Sequence, residues 1–280
     1  MEIPAVLGSS AVVAAFVGGL ITLLSQRWLL KRKAQLDYEF AARKRLYEAI
    51  GVLRLQLLLA ARDVVRRIRR HPKAKSWDMR PSDHYVKSSI YRLLRPIAIG
   101  QIIEKEIGTV DLSIDADALE LLRFNAAVAE MLTGGDVLLE HPGADWSAAQ
   151  SQHLFHHNLN TAAATLIIAT DTGVYRVMDY AQFERAVPDP MTDPVIRPLA
   201  SIFGRCKETL FENPIFWLRL VGYAYACNRF VGMQGKRFRF ASATLEVEGM
   251  LSDERLKDEH ISTRAAKYLA AFEAIVKGRL

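Results

Sequence analysis

The sequence predicts an all-α protein: a single N-terminal transmembrane helix that continues into a basic amphipathic stem, followed by a helical-bundle cytosolic domain. Three observations lead to this fold class. Residues 3–24 form an uncharged run, residues 26–70 contain no proline and space their apolar residues three or four apart, and only residues 236–249 show clear strand-like alternation. The predicted divisions are residues 1–25 for the anchor, 26–72 for the stem and 73–280 for the body, with an exposed loop near 187–194.

The uncharged run is long enough to cross a bilayer, since about 20 helical residues span ~30 Å of hydrocarbon. Glu2 precedes the run and a basic cluster follows it, so the positive-inside rule places the N-terminus outside and the remainder in the cytosol. A cleaved signal peptide has the opposite charge order, and a buried core helix is the other alternative. The sequence therefore predicts a single-pass protein of the inner (plasma) membrane.

Small residues recur every four positions along this run. Rows of this kind let two helices approach closely in lipid, where the hydrophobic effect does not drive association. They predict a homo-oligomer, although alanine and glycine are also common in membrane spans. The predicted contact residues are Ser10, Ala11, Ala14, Ala15, Gly18 and Gly19.

Positive charge is concentrated in the stem. Residues 27–80 contain 16 Lys or Arg and 5 Asp or Glu, whereas the whole chain has a net charge of +6, so the remainder is net acidic. Binding to anionic lipid, binding to nucleic acid through phosphates, and a solvated face paired with the acidic body are the three interpretations. The candidate lipid-binding or nucleic-acid-binding residues are Arg27, Lys31, Arg32, Lys33, Arg66, Arg67, Arg69 and Arg70.

The body follows the pattern of several helices joined by short loops. A long helical pattern covers residues 146–170, and Pro96 is expected to break or kink an earlier helix. The segment 187–194 holds three prolines and two aspartates, which is typical of an exposed loop.

A histidine cluster is the candidate metal site. His153, His156 and His157 lie at i, i+3 and i+4 of the predicted helix, so two imidazoles on one face could meet a metal ion. A catalytic metal normally needs a third protein ligand, which this face does not supply. The alternative is that the histidines belong to a polar helix end, and the sequence predicts no cofactor.

Two arginine–histidine pairs are the candidate catalytic groups. Arg66 with His71 and Arg255 with His260 have a spacing that resembles the motif of HEPN ribonucleases, which are helical bundles that cleave RNA at a dimer interface. The resemblance covers six residues, and the polar residue that usually follows the arginine is replaced by Arg67 or Leu256.

These features together favour a membrane-anchored, non-enzymatic protein that assembles with itself. In outline, one span coupled to a helical body resembles bacterial antiviral effectors, including CRISPR-associated membrane accessory proteins, and this resemblance implies an activity that perturbs or depolarises the inner membrane. A membrane-tethered HEPN-like ribonuclease or nucleic-acid-binding module is the first alternative. A scaffold that recruits an unknown cytosolic partner is the second.

Overall fold

The computed structural model describes the chain in seven stretches. They are residues 4–71, 84–108, 116–144, 153–171, 173–204, 213–236 and 244–278; for residues 4–13, 49, 116, 117 and 204 only the backbone is described. The helices are α1 (Pro4–Arg70), α2 (His84–Ile107), α3 (Ala116–Thr133), α4 (His156–Ala164), α5 (Tyr180–Ala186), α6 (Arg197–Gly204), α7 (Pro214–Gly235), α8 (Val247–Leu251), α9 (Glu259–Thr263) and α10 (Ala265–Lys277). Strands β1 (Ile167–Ala169) and β2 (Tyr175–Val177) pair as a short antiparallel hairpin. Because the other elements of the described residues are helices, the all-α class is confirmed.

Helix α1 is continuous over 67 residues, about 100 Å at 1.5 Å per residue. Between residues 14 and 45 its side chains are almost all exposed. From Leu46 onward one face is buried, because Ile50, Leu57 and Val64 pack into the same core as the body. The predicted stem is thus an exposed segment followed by an integral core helix.

The core is built around the second half of α1, which packs against α2 and α7, while α7 also packs against α3. Arg54 interrupts the apolar face of α1, and the fold accommodates it through α7: its guanidinium donates to Oε1 of Gln234. Nε2 of Gln234 in turn donates to Glu120 of α3. This chain of hydrogen bonds joins three helices and satisfies a buried cation, which would otherwise be costly.

Local structure differs from the sequence prediction at several places in the body. The pattern over residues 146–170 is not one helix: residues 145–152 lie outside the described stretches, α4 begins at His156, and Ile167–Ala169 forms β1. Its β-branched isoleucines pair with β2, where tertiary contacts outweigh helical periodicity. Pro96, expected to break or kink its helix, does not break it, since α2 continues through the buried proline.

The predicted loop near 187–194 contains no regular helix or strand, but Val187 within it is buried. Half of the alternating stretch 236–249, residues 237–243, falls outside the described residues, and its end is helical, since α8 begins at Val247. Among the described residues, no helix combines the length and apolar character required to cross a membrane. The transmembrane part of the fold prediction therefore stays a prediction.

Candidate membrane and assembly surface

The exposed half of α1 carries large apolar side chains that the body does not cover. The side chain of Phe16 is 77% exposed, and each of the other apolar side chains on the same face is about half exposed or more. At ~100° per residue these side chains occupy one broad face of the helix. The members of this apolar face are Phe16, Val17, Leu20, Ile21, Leu23 and Leu24. A contiguous exposed patch of this kind marks a membrane or protein interaction site.

Small residues occupy the opposite face. Ala15, Gly18, Gly19 and Thr22 lie there, and a Cβ built on either glycine meets no atom within 4 Å. The Thr22 hydroxyl donates to the carbonyl of Gly18 at 2.8 Å, so it is satisfied within its own helix. Such internal satisfaction suits a hydroxyl that lies in lipid or at a helix contact. Of the other predicted contact residues, Ala14 is exposed, while the side chains of Ser10 and Ala11 lie outside those described.

A collar of exposed basic residues follows the apolar face along the helix. Arg27, Lys31, Arg32 and Lys33 are all exposed, and the Arg32 guanidinium lies 5.1 Å from the centre of the Trp28 ring. An amphipathic aromatic residue beside cations is the arrangement expected at the headgroup level of a bilayer.

The basic cluster at the end of α1 does not form a single surface. Arg66, Arg69 and Arg70 are exposed, whereas Arg67 turns towards α2. The Arg67 guanidinium donates to the Ser88 hydroxyl at 3.0 Å and lies 4.5 Å from the centre of the Tyr85 ring. Three of the four predicted cations therefore remain available to solvent, and the fourth supports the α1–α2 contact.

His71 lies beneath this cluster in an aromatic site. Its ring stacks between Tyr85 and Trp217, each with a centroid separation of 5.8 Å, and Phe203 meets its edge. Nδ1 hydrogen-bonds with the Tyr85 hydroxyl at 2.8 Å. Burial, and to a lesser extent the Arg67 charge, lower the pKa of His71 to about 4. The structure thus places Arg67, and not the predicted Arg66, on the side of His71.

The second predicted pair is also separated. Arg255 is held by Asp253, with Nε 2.8 Å from Oδ1, whereas Nδ1 of His260 lies 3.0 Å from the guanidinium of Arg264. The His260 ring packs edge-on against His141, whose Nδ1 accepts from the Gly143 amide at 2.9 Å. Since Nδ1 of His141 is an acceptor, its Nε2 donates to Asp258, which also accepts from the first turn of α9.

We expect neither His71 nor His260 to cleave RNA, because His71 is enclosed by aromatic rings and His260 is packed against His141. Incubation of the purified full chain with single-stranded RNA at low salt should leave the RNA intact on a denaturing gel. Cleavage that disappears in His71→Ala or His260→Ala would contradict this expectation and support the ribonuclease interpretation.

The candidate metal ligands are not brought onto one helix face. His153 precedes α4 and is buried, whereas His156 and His157 lie in its first turn and are exposed. Nε2 of His156 hydrogen-bonds with the side-chain amide of Asn160 at 2.8 Å. Within the described stretches, no group of three or more His, Cys, Asp or Glu residues is arranged to hold a metal ion.

Two features of the body were missed from the sequence. Arg219 is fully buried in α7, and its guanidinium donates to the carbonyl of Gly134, directly after α3. A cavity of about 250 Å³ between α3, α7 and α10 has stacked Phe124 and Phe230 rings in its wall and Arg123 and Arg229 in its lining. Helical periodicity indicates which residues are buried but not which helices meet, so neither feature could be read from spacing.

Comparison of the chain with protein-family models, curated proteins and solved structures gave no match.

Proposed function

We propose that the protein is a single-pass membrane protein, attached through the first part of α1, that assembles with itself and holds its helical body at the cytosolic surface. The observation that carries this proposal is the apolar face of α1, whose members are exposed. In a soluble domain these side chains would be expected to lie in the core. The hydrocarbon of a bilayer would cover these apolar side chains.

Two further observations support the same arrangement. The collar from Arg27 to Lys33 follows the apolar face directly, which matches attraction to an anionic cytosolic leaflet. The small-residue face offers a close contact between spans, the basis for self-assembly. Both candidate catalytic histidines are engaged in packing, which favours a role other than catalysis.

We expect the full chain to stay in the membrane pellet after extraction with alkaline carbonate. Replacing Phe16 and Leu20 together by arginine should move most of it to the supernatant, because an arginine in the middle of a span costs about 2.5–3.5 kcal/mol. Both side chains are exposed and lie outside the core cluster of the described residues, so the body should still fold.

The control is the pair Phe16→Ile and Leu20→Ile, which keeps the apolar character and should remain in the pellet. A cytosolic reporter fused to the C-terminus should be active in the same cells. Extraction of the wild-type chain by carbonate would disprove attachment through a span, and reporter activity only outside the cytosol would disprove the orientation.

A further inference from the structure

The apolar stripe of α1 is covered in one half and uncovered in the other. From Ile50 onward the body covers it, as the burial of Ile50, Leu57 and Val64 shows. Before that point the same stripe continues through large side chains that are all more than half exposed. These are Leu29, Leu36, Phe40 and Tyr47.

The uncovered stripe fits a heptad pattern, in which apolar positions a and d alternate three and four residues apart. With Phe40 and Tyr47 at position a, Leu29 and Leu36 fall at position d. Followed towards the N-terminus, this register passes through the small-residue face. The positions that it reaches there are Ala15, Gly19, Thr22 and Gln26. One continuous seam therefore runs from the proposed span into the stem.

We propose that residues 26–47 form a parallel, in-register coiled coil with a second copy of this chain. The charges that flank the seam are complementary in this arrangement. Position g of one helix faces position e of the next heptad in its partner. Arg32 at g then faces Asp37 of the second copy, and Glu39 at g faces Lys44 of the second copy. All four side chains lie outside the core, where they can reach across the seam.

The parallel orientation rests on the proposed function. The same charges would also match in an antiparallel pair, but each copy enters the membrane at the N-terminal end of α1, so both helices must run in the same direction. Lys33 at a and Arg43 at d place cations in the seam, which weakens the coil and restricts its register. A short coil of this strength needs the neighbouring span to hold the copies together.

Cysteine crosslinking tests the seam directly. The full chain, in native membranes and with Cys206 replaced by serine, carries Leu36→Cys, Phe40→Cys or Ala41→Cys, and is oxidised and separated without reductant. A disulfide needs Cβ atoms about 4 Å apart, so Leu36→Cys and Phe40→Cys should each give roughly five times more crosslinked dimer than the off-seam Ala41→Cys. Equal crosslinking at all three positions, or none at any, would overturn the proposal.

Charge reversal tests the register. In the Phe40→Cys background, Lys44→Glu should lower the crosslinked dimer roughly threefold, because it sets two like-charged pairs across the seam. Adding Glu39→Lys should restore the dimer, whereas Arg45→Glu, the same charge change on the outer face, should leave it unchanged. Loss with Arg45→Glu equal to that with Lys44→Glu, or no recovery with Glu39→Lys, would overturn the register. Carbonate extraction of the same membranes reports attachment separately, so failure of the coil and failure of the anchor are distinguishable.

Discussion

Replacing Arg219 by leucine should lower the free energy of unfolding by about 1–3 kcal/mol, the cost of leaving buried acceptors without their hydrogen-bond donor. The Arg219 side chain is fully buried in the second turn of α7. Its guanidinium donates to the carbonyl of Gly134 at 2.9 Å and reaches the carbonyl of Met131 at 3.5 Å. Both carbonyls belong to the last turn of α3 or follow it directly.

The physical reason is the position of the cation. The last carbonyls of a helix have no partner inside it, and they form the negative end of the helix dipole. Burial lowers the pKa of Arg219 to about 10, so the side chain remains a cation at neutral pH. Leucine would leave the carbonyls buried without their donor, and the dipole without its counter-charge.

Urea unfolding of the two proteins, followed by circular dichroism in the same detergent, measures the difference. Arg229→Leu is the matched control, because it makes the same change on the same helix at an exposed position and should cost less than about 0.5 kcal/mol. Equal unfolding midpoints for Arg219→Leu and the wild type would show that the buried guanidinium does not hold the end of α3.

The stability of the body should also depend on pH through His71. Its pKa is about 4 in the folded protein, whereas a histidine in an unfolded chain has its ordinary pKa of 6.5, so the unfolded chain binds more protons between these values. The contribution of the neutral imidazole is therefore complete above pH 6.5 and is lost as the pH falls towards 4. A shift of this size corresponds to about 3 kcal/mol.

Unfolding measured at several pH values between 7 and 4 tests this expectation. His71→Gln keeps a group that can hydrogen-bond the Tyr85 hydroxyl but does not titrate, so its stability should fall less steeply than that of the wild type. His157→Gln, at an exposed position, should leave the slope unchanged. Parallel pH profiles for the wild type and His71→Gln would contradict the assignment of the slope to His71.

Part of the fold and of the candidate site could be predicted from the sequence, and part could not. The helical class and the long helix through residue 70 were predictable, because apolar spacing and the absence of proline are local properties. The hairpin was not, because Ile167 and Ile168 also fit a helical pattern and become strand only through pairing with β2. The two arginine–histidine spacings were visible, but spacing alone did not show that Arg67 would face His71 while Arg66 faces solvent.

By itself, the sequence determined the helical class, the extent of α1, and the order of apolar run, basic collar and stem, since these follow from composition and period along one chain. The heptad pattern of the stem is also a property of the sequence. Only the tertiary structure decided which part of that apolar stripe is buried. Packing against α2 and α7 covers the stripe from Ile50 onward and leaves its earlier members exposed, because burial depends on which distant segments meet and not on local spacing.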